Sequence, residues 1–271
     1  MTRKTAFFLI SFVVITSFAA APEDSVKLRI NYASKYIVVQ NQRNRLEDEM
    51  SLDIGRKYVH FYSFYEKQRD DIKDSLLAIG ATAFDVQVAL RESGYPSGQQ
   101  IQIWKNYPET GNLTFTDRIY KDFKYTEPMV RPVWKLEEGD TTIVEYVCHK
   151  ATTHFKGRTW HVWYAPDIPI SEGPWKLSGL PGLILAAKDS EELFSFRCIE
   201  IENHTHTPMD FPAKKYIECT KKEYHELLKE HWLDTEAFYK KLTGHTSKAY
   251  DQNGKRIVYP KRIAVLMDNE E

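Results

Sequence analysis

Two groups of side chains in this chain have the types and spacing that chemistry requires. In His204-Thr205-His206 two imidazoles stand at i and i+2, so on a strand they would share one face and could take a metal ion. Arg158, His161, Asp167 and Glu172 bring a cation, an imidazole and two carboxylates into one short stretch. Those are the parts of an acid–base hydrolase. Neither pattern is complete. A zinc site wants three or four ligands, and no H-E-x-x-H or paired C-x-x-C is present. No G-x-S-x-G elbow and no nucleotide fingerprint occurs either. Simpler roles also fit: Asp167 bonding turn amides, Arg158 pairing with a carboxylate, and histidines in solvent. Cys148, Cys198 and Cys219 could supply one disulfide or be three small buried residues. Cys148 and His149, adjacent on a strand, would point to opposite faces and make a poor nucleophile–base pair. We therefore expect no catalytic set, no metal ligands and no cofactor.

What positions these groups is the stretch Pro166 to Ile184, PDIPISEGPWKLSGLPGLI. Its prolines and glycines mark a loop, yet Ile168, Ile170, Trp175, Leu177, Leu180, Leu183 and Ile184 make it apolar. It should be a rigid, buried connection between strands. Leu180-Pro181-Gly182-Leu183 predicts a type II turn with positive φ at Gly182. Trp160, Trp163, Tyr164 and Trp175 cluster around it. With Arg158, Asp167, Leu180, Pro181 and Gly182 they form the candidate surface for a ligand or partner.

Gly179-Leu180-Pro181-Gly182-Leu183-Ile184 resembles the motif that names the GLPGLI family of secreted proteins of the Bacteroidetes. Cys148 to Ala151, Phe155 to Trp160, Trp163 to Gly173 and Leu52 to Ser63 are similar to further steps of that family's pattern, in order. The resemblance spans residues 52–202. It implies a secreted or periplasmic protein and no particular activity.

The chain has 271 residues, enough for one domain, which we place at 21–271. Basic and acidic residues nearly cancel, 37 against 38, which argues against a nucleic-acid binder. Residues 1–20 read as a secretory signal, with Arg3 and Lys4 before a short apolar core and small residues at its end. No cysteine stands there for lipid attachment, and no later segment is apolar enough for a transmembrane helix.

The fold expected is mainly β with helices (α+β), an antiparallel meander forming a curved sheet or half-open barrel. Strands are expected at Leu28–Val39, Met50–Phe64 (with a bulge or turn at Gly55), Gln100–Asn106, Leu113–Tyr120, Pro132–Leu136 and Thr141–Cys148. Arg158–Tyr164 follows, alternating with Trp160, Val162 and Tyr164 on one face and Thr159, His161 and Trp163 on the other. Leu183–Ala187 and Leu193–Ile201 come next, with one possible last strand at Arg256–Met267. Residues 66–74 should begin a loop, and 74–92 a helix with the stripe Leu77, Ala81, Phe84, Val88. Thr220 to Glu223 is a capping box opening a helical pair over 221–243, recapped at Asp234 and stopped at Gly244.

The function expected is a non-enzymatic periplasmic or secreted binding protein for a small apolar ligand, a peptide or an envelope partner. The competing readings are a hydrolase using Arg158, Asp167, His161 and Glu172, and a metal carrier using His204 and His206.

Overall fold

The computed structural model describes residues 24–203, 207–246 and 248–270. The expected leader, His204 and His206 lie outside them. In β1 (Leu28–Tyr36) alternation buries Ile30, Tyr32 and Tyr36 on one side and exposes Ala33 and Lys35. The single strand expected over Met50–Phe64 is a hairpin, β2 (Leu46–Ile54) with β3 (Val59–Ser63). Its turn is organised by Asp24, whose carboxylate accepts the backbone N–H groups of Arg56, Lys57 and Tyr58 at 3.1, 2.7 and 3.0 Å. Only hydrogen fits at Gly55, where a Cβ would lie 2.2 Å from Asp24 Oδ2.

The expected loop at 66–74 is instead helical. α1 (Phe64–Ala78) starts at Ser63, which accepts the Glu66 N–H, and no residue of the helix is buried. Without an apolar stripe, periodicity could not reveal it. A break at Gly80, φ +80°, separates it from α2 (Ala83–Glu92), capped reciprocally by Thr82 and Asp85. The expected helix at 74–92 is thus parts of two. Its stripe is also corrected: Leu77 and Phe84 are exposed, and Val86 and Leu90 are the buried pair.

β4 (Gln102–Lys105), β5 (Asn112–Ile119), β6 (Lys121–Pro128), β7 (Lys135–Ile143) and β8 (Tyr146–Phe155) follow. β6 escaped sequence reading because charges alternate with Phe123 and Tyr125. The turn expected at 137–140 is a bulge inside β7, and the chain reverses at Val144-Glu145, φ 45° and 70°. β9 (Arg158–Ala165) buries Trp160, Val162 and Tyr164 on the face their alternation predicted, and Arg158 with them. β10 (Leu183–Asp189) and β11 (Phe194–Asn203) form the next hairpin. β12 (Ile217–Glu218) precedes α3 (Lys221–Leu233) and α4 (Thr235–Thr243). The Thr220–Glu223 capping box, the Asp234 cap and the Gly244 stop are all present. Only Arg256–Ile257 of the last expected strand is a strand, β14, paired with β13 (Ala249–Tyr250).

Among the described residues twelve strands make one sheet, ordered β12-β6-β5-β4-β3-β2-β1-β11-β10-β9-β8-β7. Two runs of sequential strands meet where β1 pairs with β11. β12 lies parallel to β6, so the sheet is mixed, and its edges β12 and β7 do not join to close a barrel. The sheet curls all the same. Lys156, just after β8, comes within 3.9 Å of Glu127 on β6, far along the strand order. Inside the curl Phe61 meets Phe196 edge to face at 5.7 Å, and the buried Tyr32 hydroxyl donates to the Ile184 carbonyl at 2.8 Å. Fully burying a side chain such as Phe61 or Leu52 stabilises by about 1.5–3 kcal/mol. Among the described residues no helix is long and apolar enough to cross a membrane.

Asp48 ties β2 to β3 and to the 98–99 backbone, accepting from Ser63 Oγ, Gln99 N and Glu49 N. Burial pushes its carboxyl up to about 6, against the pull of those hydrogen bonds. The native chain then holds this proton more tightly than the unfolded chain, whose Asp titrates near 3.8. Stability should therefore fall as pH rises through that window and stay lowered above it, by about 3 kcal/mol at most. Asp48→Asn should flatten this slope in melts run from acid to neutral pH. Superimposable profiles for the two proteins would refute the assignment.

Candidate functional site

The stretch between β9 and β10 passes inside the curl and is tied to itself. The N–H groups of Leu183, Ile184 and Gly179 donate to the carbonyls of Ile168, Glu172 and Ser171. The glycines work differently from the expected type II turn. Gly182 does not take positive φ; it is needed because a Cβ would lie 2.3 Å from the Ala165 carbonyl oxygen. Positive φ falls at Gly179 (99°) and, without a glycine, at Trp175 (55°). A bulky residue in the left-handed region costs about 1–3 kcal/mol. Packing of its ring against Trp160 and Phe155, centroids 5.4 and 6.0 Å away, offsets that cost.

Two buried lysines anchor the loop. Lys105 from β4, only 1% exposed, donates to Glu172 Oε2 at 2.7 Å and to the carbonyls of Gly173 and Leu177 at 3.0 and 3.1 Å. Lys176 reaches Asp268 at 2.8 Å and Glu127 on β6, with the Tyr125 hydroxyl at 3.3 Å.

Beside Lys176 opens a cavity of about 560 Å³. Its walls are Ile101, Phe115 and Ile119, the loop's Trp175, Phe194 of β11, and Leu228 and Trp232 of α3. Residues 265–268 close one side. Several of its polar groups have protein partners, though the buried His231 Nδ1 has none among the described residues. The buried Tyr224 hydroxyl donates to Asp117 Oδ2; burial holds the Tyr224 hydroxyl well above its usual range and raises the Asp117 carboxyl. Asp268 is desolvated, which raises its carboxyl, but Lys176, Lys221 and Lys156 together bring it below the ordinary carboxylate range. His225 and His231 are pushed down by burial. An apolar volume with a charged cluster at one wall can hold a small apolar molecule and orient a polar end.

The centre of this arrangement matches a known family pattern. Residues 155–186, from the end of β8 through the loop into β10, match the family model described as "Protein of unknown function (Porph_ging)". No curated protein matches the chain. Among solved structures, PNGF-II superposes with a TM-score of 0.50 at 14% identity, over 75% of this chain and 33% of that one. A second crystal form of PNGF-II gives 0.49 at 13%, over 74% and 32%. The chain thus spans about a third of the structure it resembles. At that identity the likeness shows the β-rich fold alone.

Of the residues singled out in the sequence, only Trp175 lines the cavity. Trp160, Tyr164, Leu180 and Gly182 are buried in the core, Trp163 is half-buried, and Pro181 and Asp167 are exposed. Arg158 is structural: it donates to Asp189, Glu191 and the Leu266 carbonyl. Glu172 is held by Lys105. No hydrogen bond or ion pair joins any two of Arg158, His161, Asp167 and Glu172 among the described residues. Nor does any His, Cys, Asp and Glu cluster there suit a metal ion, though His204 and His206 lie outside them. The three cysteines are free thiols, and burial pushes Cys198 up to about 12 and Cys219 to about 11. The cavity residues missed were Phe115, Phe194, Lys176 and the 265–268 segment; the three- and four-residue spacing of Tyr224, Leu227, Leu228 and His231 is a visible signal only for the α3 wall.

A second concavity, of about 540 Å³, lies on the opposite face of the sheet beside α1. Asp53 on its floor is already engaged: Arg29 forks onto it at 2.6 and 2.8 Å and the Tyr62 hydroxyl donates to it at 3.0 Å. His60, stacked on Trp104 at 3.8 Å, is pushed down to about 4 by burial, so it is neutral.

Two substitutions test the loop. Lys105→Met leaves the Gly173 and Leu177 carbonyls without a donor, at about 1–3 kcal/mol each. Gly182→Ala forces a Cβ into the Ala165 carbonyl and should cost about as much as an overpacked core, 1–3 kcal/mol. Chemical denaturation should show both losses, and a Gly182→Ala protein as stable as the wild type would contradict the close approach.

Proposed function

We propose that the protein is a non-enzymatic binding protein of the cell envelope, of the GLPGLI type, that holds a small apolar ligand in the cavity beneath α3. The observation that carries this reading is the cavity: about 560 Å³ walled by aromatic and aliphatic side chains, with Tyr224, Asp117, Lys176 and Asp268 partnered within the protein. That volume is typical of small-molecule sites. The family-type assignment is supported by the 155–186 match, which contains the Phe155–Trp160, Trp163–Gly173 and Gly179–Ile184 motifs. An envelope location rests on the signal-like pattern of residues 1–20. The hydrolase reading has less support, because its four residues are engaged or apart.

Native mass spectrometry of the protein isolated from its own cell envelope tests this directly: we expect extra mass that is lost on denaturation. Dodecanol serves as a defined probe. Leu228→Trp fills the cavity from α3 and should weaken dodecanol binding by at least about tenfold, near 1.4 kcal/mol, with the melting temperature kept. Unchanged affinity in a folded Leu228→Trp protein would place binding elsewhere and sink the proposal.

A further inference from the structure

Resting on that reading, the charges at the cavity wall identify the ligand class. At one wall of the cavity Lys176 and Asp268 belong to an ion-pair cluster that continues behind the wall to Lys156 and Lys221 and to Glu127 and Glu270. Asp268 and Glu270 both come from one segment, 262–270. That segment is not a full sheet strand. It is attached by one β-bridge, Val39 to Ala264, and by separate hydrogen bonds: Gln40 N–H to the Ile263 carbonyl, Val265 N–H to the Val38 carbonyl, Arg262 N–H to the Trp232 carbonyl, Asn269 N–H to the Lys156 carbonyl, and Arg158 to the Leu266 carbonyl. Asp268, 6% exposed, places its carboxylate 2.8 Å from Lys176 and 3.4 Å from Lys221, at the wall of an otherwise apolar volume.

We propose that the 262–270 segment is a latch whose Asp268 carboxylate occupies the head-group position of the ligand, and that the ligand is an aliphatic carboxylate. Glu127 neutralises only one of the three cations, so lifting the latch leaves a net positive end on an apolar cavity. An anion with an apolar body fits that combination, because its carboxylate replaces Asp268 on Lys176 while its chain fills the space under α3. Lys221 is part-exposed, so the buried ammoniums are Lys156 and Lys176; Glu127 and the ligand carboxylate give them two anions, where a neutral ligand that displaced the latch would leave Glu127 alone. A cationic amphiphile would meet Lys176 and Lys221 and be excluded.

The experiment compares dodecanoate with dodecanol on wild-type protein, Asp268→Asn and Asp268→Glu. Asp268→Asn should raise the ratio of dodecanoate to dodecanol affinity about tenfold. Asp268→Glu, which restores the carboxylate, should return that ratio to near its wild-type value. In the wild type, dodecanoate should speed hydrogen exchange at Val265 and Asn269, and dodecanol should not. This second measurement serves where Asp268→Asn folds poorly. If both probes bind and neither the variant nor the exchange rates distinguish them, the latch is overturned and the binding function stands. If neither probe binds any form, the binding function itself fails.

Discussion

A loop that runs through the interior of a curled sheet has backbone carbonyls that water cannot reach, and each must find a donor. Lys105 is the answer to that constraint. One ammonium with three donors satisfies the carbonyls of Gly173 and Leu177 and pairs with Glu172. A hydroxyl could serve one carbonyl, but the lysine reaches both and still pairs with Glu172 of the same loop. Everything else in the centre of the molecule follows from seating that loop. Gly173 must lack a side chain because a Cβ would lie 2.7 Å from Ile184 Cβ, and Gly182 because of the Ala165 backbone. Trp134 reaches in from the segment before β7 to donate to the Ser178 carbonyl at 2.9 Å. The two runs of strands are thereby held around a common filling, and the sheet curls without needing to close.

The same seating decides where the charges lie. With Trp175 in the left-handed region, its ring turns toward Trp160 and Phe155 while the next residue, Lys176, turns toward β6 and the cavity. A desolvated ammonium on that wall demands anions, and two arrive from different places: Glu127 from β6 and Asp268 from the segment that follows β14. Buried pairs of this kind are a weak source of net stability, since desolvation cancels much of the attraction. Their consequence is specificity of assembly: strand edge, loop and late segment must come together for any of the charges to be tolerated.

Local signals were legible in the sequence, and signals that depend on assembly were not. The Thr220–Glu223 box, the Asp234 cap and the alternation of β9 depend on neighbours a few residues away, and they read correctly. The hydrophobic loop was recognisable as buried because no solvated turn carries Trp175, Leu177, Leu180 and Ile184 together. α1 was hidden because it stands on the surface by its cap and ion pairs, such as Arg118 with Asp70, without an apolar stripe. The role of Gly182 was misread because a close approach and a positive φ look the same in sequence. The cavity was the least legible. Its walls come from elements distant in the chain, and the two residues that give it character, Lys176 and Asp268, look like ordinary surface charges until the fold buries them.

That contrast bears on what the Gly179–Ile184 motif is for. A motif whose residues contacted ligand would place side chains in the cavity, yet Leu180, Leu183 and Ile184 are packed in the core, and Pro181 faces out. The motif instead fixes the end of the loop against Ala165 and Ile168, so that Trp175 and Lys176, a few residues earlier, have one possible position. Positioning at a distance needs a rigid backbone more than it needs chemistry, and glycines at points of contact with prolines between them meet that need. The distinctive hexapeptide is therefore a scaffold element. Specificity for a ligand would be set by residues that carry no motif, on α3, β5, β6 and the 262–270 segment, and could change between chains that keep the hexapeptide intact.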